Sequence, residues 1–249
     1  MKLLVVNVNT TASMTEAIAR SARSAAAPGT EIVGLTPALG AESVEGNFES
    51  YLAAVAVMST VVTYEGDFDA VIQAGFGEHG REGLQELLDV PVLDITEAAA
   101  HVACLLGRTY SVVTTLDRAV PLIEDRLLLA GLLTRCASVR SSGLSVLELE
   151  GDPDVVVEAI VGESERAVGE DRAEVICLGC AGMAGLDAAV HRATGVPVVD
   201  GVAAAVKLAE GLVALGHSTS KVRTYAPPRE KVVDGWPLAA PAPGPAPAP

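Results

Sequence analysis

The chain of 249 residues is long enough for one large domain or for two units of about 100 residues, each with its own core. It carries 17 basic and 32 acidic residues, and the resulting net charge of −15 argues against binding to nucleic acid or to anionic membrane surfaces, both of which favour a basic protein face. Half of the residues are apolar, but no run of roughly 18 qualifies as a transmembrane span.

The cysteines and the first residues bear on the cellular compartment. The cysteines are Cys104, Cys136, Cys177 and Cys180, and they lack the spacing of a secreted disulfide framework. The opening MKLLVVNVNT is interrupted by Asn7 and Asn9 before a signal-peptide core could form, so we expect a first strand there. The sequence therefore predicts a cytoplasmic protein. Cys177 of the C-x-x-C formed with Cys180 lies in a predicted strand, which disfavours a redox pair. A zinc site is disfavoured because no second Cys or His pair has ligand spacing.

Strand-like apolar runs alternate with helical stretches along the chain. The order is LLVVNVN, MTEAIARSARSAA, EIVGLT, a long helix around ESYLAAVAVMSTVVTYEG, AVIQAG, REGLQELLD, VPVLDI and EAAAHVACLL. Such alternation favours an α/β fold with mostly parallel sheets, in which ligands bind at the carboxyl ends of the strands.

The second half of the chain repeats the first at an offset of about 105 residues. VIQAGFGEHG with the later VPVLD matches VICLGCAGM with the later VPVVD, and LLVVNVNT resembles YSVVTTLD. The repeat predicts two pseudo-symmetric half-domains, at 1–100 and 101–207, with 208–235 packing back on the first. Residues 236–249 are a Pro/Ala tail that we expect to be disordered.

Two halves related by approximate two-fold symmetry would place their strand-end loops face to face across a cleft. The expected substrate-binding residues in these loops are Asn9, Thr10, Gly75, Phe76, Thr114, Thr115, Ala181 and Gly182. Short polar side chains and amides at helix starts suit a carboxylate, ureide or imide oxygen, although plain helix caps would show the same residue types. We expect Asp94 and Asp200, which follow the VPV strands, to be helix caps.

Cys180 is the candidate reactive residue. It follows the apolar strand VICL and lies among small residues, ahead of the helical stretch AGLDAAVHRAT. A thiol at a helix N-terminus meets unpaired N–H groups, and these favour the thiolate. The sequence therefore predicts a reactive cysteine in the cleft.

Several of these segments resemble a known family. The NVNT after the first strand, VVTTL after the midpoint, GCAGM and PVVDGVAAAVK are similar to the hydantoin and allantoin racemases of the aspartate/glutamate racemase superfamily, over about residues 1 to 215. The resemblance implies a cofactor-independent enzyme without a metal, in which two cysteines, one per half, exchange a proton on opposite faces of a carbon acid. It also implies a homo-oligomer that acts on a small molecule.

The chain departs from that pattern at one position. Cys180 corresponds to the second cysteine, but Gly75 stands where the first is expected. Glycine can be neither acid nor base, so three explanations remain open. His79, or failing that Glu78, acts instead; the reaction needs only one proton transfer, as the resemblance to single-cysteine arylmalonate decarboxylase implies; or the glycine is an engineered or decayed change in a former racemase.

The leading prediction is thus a racemase or isomerase acting beside a carbonyl, on a hydantoin-type or amino-acid-like substrate, through an enolate-like intermediate. Cys180 and His79 are its candidate catalytic residues. The alternatives are a single-cysteine decarboxylase or lyase and an inactive binding homologue.

Overall fold

The computed structural model describes residues 1–232 and contains eight strands and eight α-helices within them. The strands are β1 Lys2–Asn7, β2 Glu31–Leu35, β3 Ala70–Ala74, β4 Val92–Asp94, β5 Tyr110–Thr114, β6 Cys136–Ser141, β7 Val175–Leu178 and β8 Val198–Asp200. The helices are α1 Ala12–Ala25, α2 Asn47–Val62, α3 Arg81–Leu87, α4 Ile95–Leu106, α5 Val120–Leu129, α6 Pro153–Gly169, α7 Asp187–Thr194 and α8 Gly201–Ala214. The tail predicted at 236–249 lies outside the described residues.

Two four-stranded sheets share one strand order. The first runs β2-β1-β3-β4 and the second β6-β5-β7-β8, and every pairing is parallel. The α/β fold with two pseudo-symmetric halves is therefore confirmed. In each half, the two central strands end side by side, so the loops after β1 and β3, and those after β5 and β7, open at one sheet edge.

The central strands are buried on both faces, which explains why they are continuous apolar runs rather than alternating ones. Helices α4 and α8 pack against each other, and α1 packs on α8. One core joins the sheets, because it includes Leu3 and Ile72 of the first half and Val112 and Cys177 of the second.

The two predicted helix caps are present. Asp94 Oδ1 accepts a hydrogen bond from the Glu97 amide at the start of α4, at 2.8 Å. Asp200 Oδ1 accepts one from the Val202 amide at the start of α8, at 2.7 Å. Each carboxylate satisfies an amide that the helix leaves unpaired and adds negative charge at the positive end of the helix dipole.

The chain after α8 returns to the first half. The Thr219 amide donates to the Asp89 carbonyl at 2.8 Å, and Lys221 Nζ donates to the Gln85 carbonyl at 2.6 Å. These bonds hold Thr219 and Lys221 against the first half, while the return of 208–235 and the boundaries at residues 100 and 207 stay predictions. Across residues 1–232, no helix has the length and apolar character needed to cross a bilayer.

Candidate active site

A small cavity of about 50 Å³ lies between the carboxyl ends of the two sheets. Its lining comes from the strand-end loops of both halves: Asn7, Val8, Asn9, Ala74, Gly75, Phe76 and His79 from the first, and Thr114, Thr115, Gly179, Cys180, Ala181 and Gly182 from the second. The structure thus brings both candidate catalytic residues to one cavity. Of the expected binding residues, Thr10 is absent from this lining, and its amide donates to the Ala41 carbonyl at 3.0 Å.

The imidazole of His79 occupies the space that a side chain at position 75 would need. A Cβ atom built on Gly75 would lie 2.6 Å from His79 Cδ2 and 2.6 Å from Val8 Cγ1, both far below van der Waals contact. The separation of four residues between Gly75 and His79 does not keep the ring away. The loop folds back because Gly77 and Gly80 adopt positive φ angles, of 134° and 96°.

His79 is buried and neutral at ordinary pH. Burial lowers its pKa from 6.5 to about 4, against smaller raising effects of the Asp94 carboxylate and a hydrogen bond with the Phe76 backbone. Its Nδ1 lies 2.9 Å from the hydroxyl oxygen of Ser50, on α2. A neutral imidazole keeps one nitrogen free to accept a proton, so this side chain has the form of a base.

Cys180 is a neutral thiol rather than a thiolate. Its pKa is raised to about 11, chiefly by burial and to a smaller extent by the charge of Glu45, against a lowering hydrogen bond from the Gly182 amide. The sequence favoured a thiolate, on the ground that a helix begins directly after the loop. Only a three-residue 3-10 turn follows Cys180, and α7 begins at Asp187, so a full helix dipole does not point at the sulfur.

Asn7, which ends β1, and Asn9, two residues further on, are held by their own hydrogen-bond network. Asn7 Nδ2 donates to Asn9 Oδ1 at 2.8 Å and to Thr15 Oγ1 at 3.0 Å, and Asn9 Oδ1 also accepts from the Thr11 amide. The side-chain nitrogen of Asn9, Nδ2, faces Met14 Sδ at 3.4 Å, and a thioether is a weak acceptor. The side chain of Asn9 is therefore held in one orientation and keeps an N–H group that could donate to a ligand oxygen.

Thr114 donates its hydroxyl to the Gly179 carbonyl at 3.1 Å, so it joins the loops after β5 and β7 in the second half.

Glu78, the second choice for the missing base, points away from the cavity. Its Oε1 accepts from the Gly80 amide at 2.9 Å, and its Oε2 lies 3.7 Å from Arg126 Nη1. Arg126 comes from α5 of the second half, is almost fully buried, and also pairs with Asp94 at 3.0 Å and Glu82 at 3.1 Å. This buried ion cluster joins the halves directly behind the loop that carries His79.

Two longer loops that the sequence analysis did not assign also line the cavity. Val44 lies in the loop after β2, and Val146 lies in the loop after β6. Glu45 Oε1 accepts a hydrogen bond from the Val146 amide at 3.1 Å, which closes the cleft between the halves. The signal was present in the repeat, because β2 and β6 hold equivalent places in the two sheets.

A larger hollow of about 580 Å³ lies between α3, α4 and α8, beside Arg81, Glu97 and Lys207. Size alone would favour it, since ligand pockets commonly reach several hundred Å³. It lies away from the strand-end loops and contains neither His79 nor Cys180, so the smaller cavity is the candidate site. Among residues 1–232, no cluster of three or more His, Cys, Asp or Glu side chains has the arrangement of a metal site.

The fold and site together define a class of protein. An imidazole from one half and a thiol from the other line a cavity between two pseudo-symmetric parallel sheets, an arrangement suited to an α/β enzyme that transfers protons.

Comparisons with known proteins agree with this class. Residues 3–209 match the Asp/Glu/Hydantoin racemase family. The chain is 72% identical to an allantoin racemase from Pseudomonas fluorescens of known structure, with a TM-score of 0.93 and coverage of 94% of this chain and 100% of that one. It is 40% identical to the hydantoin racemase of Pseudomonas sp. (strain NS671) over 93% of each chain. Arylmalonate decarboxylase, at 17% identity and a TM-score of 0.56 over 90% of this chain and 97% of that one, shares the fold alone.

The chain therefore belongs to the Asp/Glu/Hydantoin racemase family. It is an isomerase of the cofactor-independent racemase type, and the decarboxylase alternative is not favoured.

Proposed function

We propose that this protein racemises allantoin or a closely related 5-substituted hydantoin, with His79 and Cys180 as the acid/base pair. The observation that carries the proposal is that the two side chains reach one cavity from opposite halves. The substrate class is supported by the 72% identity to an allantoin racemase over the full length of that chain.

The protonation states suit the conversion of one enantiomer. The carbon between a ring nitrogen and a carbonyl bears an acidic hydrogen, which a neutral imidazole at His79 can remove. The Cys180 thiol can return a proton to the other face, since its pKa of about 11 keeps it protonated. The enzyme is left with an imidazolium and a thiolate, the pair needed to convert the opposite enantiomer. The proton count balances without a cofactor.

The enolate oxygen formed between the two transfers needs hydrogen-bond donors. The side-chain amide of Asn9 and the backbone amides of the loop around Ala181 are fixed groups at the cavity wall. Donors already aimed at a developing oxyanion each contribute about 3 to 4 kcal/mol when the site excludes water. These groups, with Thr115 and Phe76, are the proposed substrate contacts. We further propose that the protein is a homo-oligomer located in the cytoplasm.

The direct test follows one enantiomer of allantoin in deuterium oxide. We expect loss of optical rotation with a first-order approach to the racemate, together with exchange of the ring C–H for deuterium in the NMR spectrum. The spontaneous rate without enzyme is subtracted. A folded protein that neither changes the rotation nor accelerates exchange would contradict the proposal, and release of CO2 from arylmalonate would favour decarboxylation instead.

Replacing Cys180 with serine tests its proposed role as the proton donor. We expect Cys180→Ser to lose on the order of 10² to 10⁴ in kcat, because a serine hydroxyl is a much weaker proton donor at this position. Cys104→Ser is the matched control, because Cys104 lies half-buried on α4 and away from the cavity. Equal activity of both variants would exclude Cys180 from the chemistry.

A further inference from the structure

Ser50 contacts two groups of the loop that carries His79. Its hydroxyl oxygen lies 2.9 Å from the carbonyl oxygen of Glu78 and 2.9 Å from His79 Nδ1. Ser50 lies in the first turn of α2, is buried at 7% exposure, and does not line the cavity. It therefore touches the proposed base without touching the substrate space.

The position of the hydroxyl proton follows from what each partner can do. A carbonyl oxygen only accepts hydrogen bonds, so the Ser50 hydroxyl must donate to Glu78 for that contact to be a bond. The same hydroxyl oxygen must then accept from the imidazole, which places the ring proton on Nδ1. The opposite arrangement, in which the hydroxyl donates to Nδ1, would leave two oxygens 2.9 Å apart with no proton between them. The Ser50 hydroxyl therefore makes two hydrogen bonds in one arrangement and one in the other.

The other edge of the ring faces the cavity side of the loop. His79 Cδ2 lies nearest to Gly75, which lines the cavity, and Nε2 lies 3.1 Å from a Cβ built on Gly77. Neither glycine has a side chain that could cover this edge. A ring protonated on Nδ1 thus presents an unprotonated Nε2 on the side where substrate would lie.

The charged and polar groups around the His79 ring do not raise its pKa enough to protonate it at ordinary pH. Asp94 precedes α4 and acts to raise the pKa of His79, the Phe76 backbone does the same, and Arg126 of α5 lowers it. Burial outweighs the raising effects and sets the pKa at about 4. Neutral imidazole is thus the form whose tautomer matters at ordinary pH.

We propose that Ser50 is a positioning residue that fixes His79 in its Nδ1–H tautomer, so that Nε2 serves as the base. This inference rests on the proposed function only for the role of the base, because the tautomer itself is a property of the free protein.

The experiment reads the tautomer and the activity separately. Protein labelled with ¹⁵N-histidine is examined by NMR at pH 8, and the His79 signals are assigned by their loss in His79→Gln. In the wild type we expect a protonated Nδ1 and an unprotonated Nε2. Ser50→Ala should shift the ring toward Nε2–H and lower kcat about tenfold with little change in KM, because only the fraction with a free Nε2 can act as base. Ser50→Thr, which keeps the hydroxyl, should restore both, and Ser59→Ala on the same helix is the matched control.

The possible outcomes are distinct. A wild-type ring protonated on Nε2, or a tautomer unchanged in Ser50→Ala, overturns the inference. A shifted tautomer with unchanged racemase activity leaves the positioning by Ser50 intact and contradicts the role of His79 in the proposed function. The wild-type spectrum decides the first point even if Ser50→Ala fails to fold.

Discussion

At the level of single residues, the imidazole of His79 lies where the resemblance to the racemase family predicts a cysteine thiol. The glycine at position 75 leaves a gap, and an imidazole from four residues along fills it. A thiol and an imidazole differ in pKa and in shape, so in the proposed reaction the two faces of the substrate meet unlike groups. The two halves are alike in their strands but unlike in their reactive side chains.

The pH dependence of the free enzyme follows from the two shifted groups. His79 must be neutral to accept a proton, so kcat/KM should fall as the pH drops through about 4. Cys180 must be protonated to donate, so kcat/KM should fall as the pH rises through about 11. Racemisation rates over this range, with circular dichroism to confirm folding at each pH, provide the measurement. An acid limb near the ordinary histidine value would contradict a His79 base whose pKa is lowered by burial.

The crowding at position 75 predicts coupling with His79. Gly75→Cys should destabilise the fold by about 1 to 3 kcal/mol, because the new side chain meets the imidazole and Val8. In Gly75→Cys/His79→Ala the ring is gone, so the combined cost should be smaller than the sum of the two single costs. The double variant should also exceed His79→Ala in racemisation, since it has one thiol per half.

Urea unfolding of the four proteins measures this coupling. Costs that add within about 0.5 kcal/mol would mean that the ring and the residue at position 75 do not compete for space.

At the level of elements, the strands and helices were predictable from the sequence. The two longer loops that also line the cavity, after β2 and after β6, were not. β1, β3, β5 and β7 are short apolar runs bounded by small or polar residues, and the repeat placed their ends around one cleft. Val44 and Val146 lie in loops without periodicity, where an isolated valine gives no signal of its own. Only the equivalent places of β2 and β6 in the repeat indicated these loops. The neutral state of Cys180 was also missed, because local sequence does not show how deeply a thiol is buried.

Glu45, in the loop after β2, should raise the pKa of the Cys180 thiol through its charge. Glu45→Gln keeps an oxygen to accept from the Val146 amide but removes the charge that raises the pKa of Cys180. We therefore expect the alkaline limb of kcat/KM to move to lower pH. Glu42→Gln, an exposed change in the same loop, should leave the limb in place. Identical profiles for the two variants would show that the Glu45 charge does not reach the sulfur.

At the level of the whole molecule, Arg126 joins the halves. Its guanidinium comes from α5 and pairs with Asp94 and Glu82 of the first half, beneath the loop of His79. Arg126→Met should cost up to about 3 kcal/mol in the free energy of unfolding, because the buried Asp94 loses its pair with Arg126 and keeps its contact with Arg81 at 3.3 Å. Arg23→Met, which removes an exposed pair with Glu16, should cost less than about 1 kcal/mol. Similar midpoints for both variants in denaturant would argue against a structural role of the buried ion cluster.

The unlike pair at the cavity is constrained by thermodynamics. Enantiomers have equal free energies in water, so the equilibrium constant of a racemisation is unity whatever groups the protein supplies. The ratio of kcat to KM must then be the same in both directions. The difference between an imidazole and a thiol can appear only in kcat and KM taken separately, and in which protonated form of the enzyme accumulates during turnover. A chain built as a repeat can thus lose the symmetry of its reactive groups while kcat/KM stays equal in the two directions.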